Sequence, residues 1–131
     1  MALSPAQSDL ALVAFATALM WLPYTLALMA RGGLMAAMGN RDTMPALPAW
    51  AERAHRAHAN AVENLAVFAP LLILATIVAP DAAHLALAAR VYLVARLVHY
   101  GVYVAGVPFI RTLAFLAGWG ATLVVAAALF A

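Results

Sequence analysis

Four apolar stretches, separated by short breaks rich in glycine, proline or charged residues, dominate the sequence. A helix needs about 20 predominantly apolar residues to cross a bilayer, and a chain of 131 residues has room for four such helices joined by short loops. Hydrophobic residues make up 68% of the chain and charged residues only 9%, which is more apolar surface than one small soluble core can bury. The sequence therefore predicts an integral membrane protein with one transmembrane domain over residues 1–131.

The breaks between the apolar stretches set the predicted helices at about residues 9–30, 49–79, 82–105 and 109–130. The first helix is expected to be capped by Ser8 or Asp9 and kinked at Pro23. Residues 31–49 form a predicted loop, within which residues 34–38 could form a short interfacial turn. The last two connections are tight, so neighbouring helices should be antiparallel. The predicted fold is all-α, an up-down-up-down four-helix bundle.

The arginines are distributed unevenly along the chain. Most of them lie near the loops that follow the first and third helices: Arg31, Arg41, Arg53, Arg56 and Arg111. The positive-inside rule predicts that loops 31–49 and 105–110 are cytoplasmic and that both termini lie on the opposite side. The chain has no cysteine, which excludes disulfides and a thiolate metal site. It also has no polycationic segment, so nucleic acid is not an expected partner.

Polar residues form a stripe on the second predicted helix, whose apolar run from residue 65 to residue 79 is too short to cross a bilayer alone. At about 100° per residue, the polar side chains share a sector of about 100°; they are Arg53, Arg56, Asn60, Glu63 and Asn64. The third helix groups Arg96, His99 and Tyr103 within about 60°. His55 and His58 lie off the stripe with no third ligand on their face, so no metal site is predicted.

Ionisable groups at membrane depth usually point into the bundle, where they pair with each other or form a functional site. Glu63 is expected to pair with an arginine. Arginines nevertheless outnumber carboxylates here, since Arg96 and Arg111 add to those of the second helix. This excess favours an anionic ligand, such as a carboxylate held by guanidinium groups and the Asn60 amide. The alternatives are a salt-bridged network that only joins the helices and, least favoured, a small transporter or channel.

The residues of these two polar faces resemble a known family. The second predicted helix contains the segment Glu52-Arg53-Ala54-His55-Arg56-Ala57-His58-Ala59-Asn60, followed by Glu63 and Asn64. Later in the chain come Arg96, His99, Tyr103 and Arg111. This pattern is similar to the motifs of the MAPEG family, the membrane-associated proteins in eicosanoid and glutathione metabolism. The resemblance is to a prokaryotic-type member. It covers the last three helices well and the first only by hydropathy. It implies a homotrimer in a bacterial inner membrane, with one glutathione site between each pair of subunits.

The resemblance also implies residue roles. Glutathione, as co-substrate and without a metal, would be held by Arg53, Arg56, Asn60 and Glu63 of one subunit and by Arg96, His99 and Tyr103 of its neighbour, with Arg31 contributing. Arg111 would stabilise the glutathione thiolate, and the acceptor would be a lipophilic electrophile or peroxide from the bilayer. The implied function is a glutathione-dependent membrane transferase or peroxidase. The alternative is a non-catalytic membrane protein that binds a lipid or another anion through the same arginines. The sequence does not identify the acceptor.

Overall fold

The computed structural model describes residues 2–130, which form five helices and four membrane-length spans. The helices are α1 (Pro5–Leu19), α2 (Leu22–Met38), α3 (Ala49–Val78), α4 (Ala83–Ala105) and α5 (Pro108–Phe130). Together α1 and α2 form the first span, Pro5–Met38, and each later helix is a span of its own. The predicted all-α four-helix membrane architecture is confirmed.

The first span begins earlier than the sequence predicted. Ser4 is its N-cap, and the Ser4 Oγ atom accepts a hydrogen bond from the Gln7 backbone while the Gln7 side chain accepts one from the Ser4 backbone. This reciprocal capping box satisfies two of the free N–H groups at the helix start. Asp9, one of the two predicted caps, is instead buried inside the bundle.

The first span is interrupted at Met20 and Trp21, just before Pro23. Proline has no N–H to donate and its ring crowds the preceding turn, so the break precedes Pro23. The Tyr100 hydroxyl of α4 donates to the Met20 carbonyl at this break, with an O···O distance of 3.1 Å. A contact from another span therefore satisfies a carbonyl at the interruption.

The loop after the first span is shorter than predicted. Helix α2 continues to Met38, with one non-helical residue, Gly33, at a φ of 73°. That conformation favours glycine, and it lets the chain turn before the short helical segment that ends at Met38. The predicted loop over residues 31–49 is therefore too long, because the chain is helical to Met38; the short turn expected over residues 34–38 is part of that helical segment.

Helix α4 lies at the centre of the bundle and contacts α1, α3 and α5. In the core, the rings of Phe68 and Tyr92 stack with their centroids 3.6 Å apart. Alanines line the buried face of the polar half of α3, at Ala51, Ala54, Ala57 and Ala61. Small side chains allow helices in a membrane to approach closely, so α3 can pack tightly against its neighbours along this face.

Candidate ligand-binding site

Arg96 is the centre of the polar residues in the bundle, and only 2% of its surface is exposed. Its Nη1 group donates to the Asn60 Oδ1 atom of α3 at 3.3 Å, and its Nη2 group donates to the Phe115 carbonyl of α5 at 3.1 Å. The guanidinium carbon also lies 5.3 Å from the Tyr92 ring centroid and 5.4 Å from that of Phe115. Arg96 therefore joins three helices through polar and cation–π contacts.

The positive charge of Arg96 has no carboxylate partner in residues 2–130. The described residues contain two ion pairs, Arg56 with Glu52 and Arg90 with Asp9, and neither includes Arg96. The Nε group of Arg96 is buried and has no hydrogen-bond acceptor. A buried charge without a counter-charge is costly. The uncompensated positive charge of Arg96 therefore favours an anion at this site.

A row of aromatic and basic side chains continues from Arg96 toward the end of α4. The His99 ring is buried and lies edge-on to Tyr103, with centroids 5.5 Å apart, and also borders Phe115. The Arg111 guanidinium stands 4.6 Å from the Tyr103 ring centroid. The structure thus brings together five of the predicted site residues, Asn60, Arg96, His99, Tyr103 and Arg111. We call these five residues the arginine band.

Asn60 and Arg96, which the resemblance assigns to different subunits of a glutathione site, also contact each other within one protomer. Helices α3 and α4 are neighbours in the bundle, and Asn60 faces Arg96 where they meet. A ligand contacting both residues can therefore do so on a single chain.

Arg53 lies beside the arginine band and contacts the C-terminal end of α4. Its Nε group donates to the Val104 carbonyl at 2.9 Å, near the end of α4. Its guanidinium packs against Gly106, which has a φ of 81° and ends that helix in the left-handed conformation. Basic groups stabilise the free carbonyls at a helix C-terminus. Arg53 thus secures the connection that leads to Arg111.

Three other predicted residues lie outside the arginine band. Arg56 and Glu63 are exposed on α3, and Arg31 is exposed on α2. Arg56 lies 3.9 Å from Glu52, one helical turn away, a distance typical of a weak surface pair. Glu63 makes no ion pair with any residue in 2–130, so the expected pairing of Glu63 with an arginine is wrong for the single protomer.

Glu63 instead borders a groove of about 470 Å³ between α3 and α5. Asn64 and Trp119 also line it, with Thr122 and Leu123 farther along α5. Most of its surface is apolar, and it is open at the protomer surface. The groove offers room for an apolar group near the polar stripe of α3.

His55 and His58 lie on the other side of α3, against α2. The His58 Nδ1 atom and the Tyr24 hydroxyl are 2.9 Å apart, and His55 meets the Tyr24 ring edge-on at 4.9 Å. Residues 2–130 contain no cluster of three potential metal-ligating side chains. Through their contacts with Tyr24, the two histidines join α3 to α2.

Sequence reasoning missed two contributors to the site. Phe115 supplies a backbone carbonyl and a ring to Arg96, a role that no sequence motif signals. Gly118 leaves the space that the Arg96 guanidinium occupies. The sequence shows that position 118 has no side chain. Whether an arginine fills the space beside it depends on how α4 and α5 pack against each other.

The fold and the site together define a class, the α-helical integral membrane proteins with four spans and a polar interior centred on arginine. The model of the MAPEG family matches residues 10–131, and the chain belongs to this family of membrane-associated proteins in eicosanoid and glutathione metabolism. The resemblance seen in the sequence is thereby confirmed. No curated protein matches the chain.

Proposed function

We propose that this protein is a glutathione-dependent membrane transferase or peroxidase. The observation that carries the proposal is the arginine band, in which Arg96 is buried without a carboxylate and Arg111 stands over Tyr103. A tripeptide with two carboxylates supplies the missing negative charge. Guanidinium groups bind carboxylates through paired hydrogen bonds, and the Asn60 amide adds a further donor.

Arg111 carries the catalytic part of the proposal. A guanidinium beside the glutathione thiol stabilises the thiolate, which is the nucleophilic form. In conjugation, the thiolate sulfur forms a bond to an electrophilic carbon, and the leaving group departs with its bonding electrons. In peroxide reduction, the sulfur attacks one peroxide oxygen and releases an alcohol, and a second glutathione then yields the disulfide and water.

The acceptor would be lipophilic and would reach the site from the bilayer. The α3–α5 groove beside Glu63 supports this part of the proposal, because it is mainly apolar and opens beside the polar stripe of α3. Apolar pockets with a few polar groups are typical of small-molecule sites.

We further propose that the protein works as a homotrimer in a bacterial inner membrane. The exposed charged groups on α3, Glu52, Arg56 and Glu63, support self-association, because such groups are costly when they face lipid. In a trimer they would meet a neighbouring subunit and add to the glutathione site, as would Arg31. The arginine-rich ends of the spans would face the cytoplasm, with both termini on the other side.

One observation favours a second candidate, a non-catalytic protein that binds a lipid or another anion. Arg53 and Arg96 already make contacts that join helices, through the Val104 and Phe115 carbonyls and Asn60. These contacts would persist in a protein whose arginines serve only structure or anion binding. The two candidates differ in what Arg111 does.

Calorimetric titration with glutathione and assays of conjugation and peroxide reduction test the proposal on detergent-solubilised protein. Arg111→Ala should retain glutathione binding, lose the thiolate band in the ultraviolet difference spectrum, and lower turnover by about 10²-fold or more. Arg41→Ala, which changes an exposed loop arginine, is the matched control. Absence of glutathione binding at millimolar concentration would overturn the proposal. Binding without turnover, unchanged in Arg111→Ala, would establish the non-catalytic candidate.

A further inference from the structure

An apolar groove runs along the outer surface of the bundle between α4 and α5, away from the arginine band. It consists of two adjoining hollows of about 440 Å³ and 320 Å³, which share Val91 and Ala117. One hollow extends to Val98 and Ile110, and the other to His84 and Val124. We call this surface the α4–α5 groove.

The length of the groove fits a lipid chain. At 1.5 Å per residue, the stretch of α4 from Arg90 to Val98 is about 12 Å long. One leaflet of a bilayer contributes roughly 15 Å of hydrocarbon, half of the total thickness. The lining is almost wholly aliphatic. An acyl chain lying along the helices from Arg90 toward Val98 would cover the larger hollow.

A cation borders the groove. Arg90 lines its larger hollow, about 9 Å along α4 from His84 at the helical rise per residue. The Nε group of Arg90 donates to the Asp9 Oδ2 atom at 2.8 Å, while the two Nη groups make no hydrogen bond to any residue in 2–130. The Arg90 side chain is 64% exposed, whereas that of Asp9 is 2% exposed. The Arg90 guanidinium therefore lies at the outer surface, and the Asp9 carboxylate lies inside the bundle.

An exposed guanidinium on a membrane span needs polar partners, and a long side chain can reach the head-group layer to find them. The partner that also supplies an acyl chain is a phospholipid with net negative charge. We propose that the α4–α5 groove binds an anionic phospholipid, with its phosphate on the Nη groups of Arg90 and one acyl chain between α4 and α5. A guanidinium binds a phosphate group through paired, charge-assisted hydrogen bonds.

Native mass spectrometry of the detergent-solubilised protein tests the proposal. Phosphatidylglycerol and phosphatidylcholine with the same acyl chains are compared, and we expect the anionic lipid to bind about tenfold more tightly. Ala117→Phe fills the point where the two hollows meet and should abolish that binding. Ala127→Phe, at an exposed position outside the groove, is the matched control and should retain it. Ala117→Leu is a smaller obstruction for use if the phenylalanine prevents folding.

A second variant tests the head-group contact. Arg90→Gln combined with Asp9→Asn removes both charges of the pair, so no buried carboxylate remains without a partner. This protein should bind phosphatidylglycerol and phosphatidylcholine about equally, with the acyl-chain contact intact. Because neither change touches the arginine band, glutathione binding should be unaffected.

Four results of the lipid-binding measurements would overturn the proposal. The first is that the unaltered protein binds the two lipids equally, and the second is that the Ala117 variants bind phosphatidylglycerol as well as the unaltered protein does. The third is that the double variant still prefers the anionic lipid. The fourth is that a free fatty acid binds more tightly than phosphatidylglycerol. A change of oligomeric state in Ala117→Phe, but not in Ala127→Phe, would assign the groove to another copy of the chain and would also overturn it.

Discussion

The Arg96 guanidinium lies against the backbone of Gly118, in a space that only glycine leaves open. A Cβ atom added at position 118 would stand 2.8 Å from the Arg96 Nε atom and 2.9 Å from its Cζ atom. Neither distance is compatible with normal packing. The arginine band therefore depends on a residue of α5 that has no side chain.

We expect Gly118→Ala to displace Arg96 from its contacts with Asn60 and the Phe115 carbonyl. Overpacking of this kind lowers the free energy of unfolding by about 1–3 kcal/mol. Gly120→Ala on the same helix is the control, because an added Cβ there meets nothing within 4 Å. Thermal unfolding of both variants in detergent measures the difference. Equal stability of the two would show that Arg96 does not need the space beside Gly118.

Asn60 offers a test of the charge at Arg96. Asn60→Ala removes the acceptor of the Arg96 Nη1 group and should cost about 1–3 kcal/mol, the penalty for an unsatisfied buried donor. Asn60→Asp supplies the missing carboxylate instead, so it should raise the melting temperature. The new carboxylate should also compete with an anionic ligand and weaken glutathione binding by about tenfold in calorimetry. If Asn60→Asp leaves both stability and affinity unchanged, the charge of Arg96 is already compensated.

The Asp9–Arg90 pair should show strong coupling between its two members. Arg90→Gln leaves the Asp9 carboxylate buried without a cation, and the Asp9 Oδ1 atom already has no partner. We therefore expect Arg90→Gln to destabilise the protein more than the combined variant Arg90→Gln and Asp9→Asn does. Unfolding curves of the two single variants and the combined variant measure the coupling. Strict additivity would mean that the ion pair contributes nothing.

Gly106 controls the turn between α4 and α5. Its φ of 81° is unfavourable for any residue with a Cβ, and Arg53 packs against it. Gly106→Ala should cost about 1 kcal/mol, because alanine is strained in this conformation. Gly101→Ala, where an added Cβ meets nothing within 4 Å, should be neutral or slightly stabilising. Unfolding in detergent distinguishes these outcomes, and equal effects at both positions would contradict a special role for the turn.

Several features of the fold could be predicted because they depend on local composition. Apolar length predicted four spans, and periodicity placed Arg53 and Asn60, which contact α4, on the polar stripe of α3. The end of the first span was harder to predict. Gly32 and Gly33 suggested that the helix ends there, but Gly33 only redirects it toward Met38. A glycine permits a turn without ending the helix that follows.

The candidate site was only partly predictable. Helical periodicity placed Arg96, His99 and Tyr103 on one face of α4, where the structure has them in a row with Arg111. It also placed Glu63 on the stripe of α3, yet that residue points to the protomer surface. Periodicity gives the angle of a side chain around its own helix. It does not give the rotation of that helix relative to its neighbours.

The sequence by itself determined the membrane environment, the four spans and the polar character of α3 and α4, because hydropathy and periodicity are properties of single segments. Only the tertiary structure decided which polar groups meet. It joined Arg96 to Asn60 within one protomer, and it joined Asp9 to Arg90 across a separation of 81 residues. Such contacts depend on the relative rotation and depth of packed helices, which close contacts such as that of Arg96 with Gly118 determine.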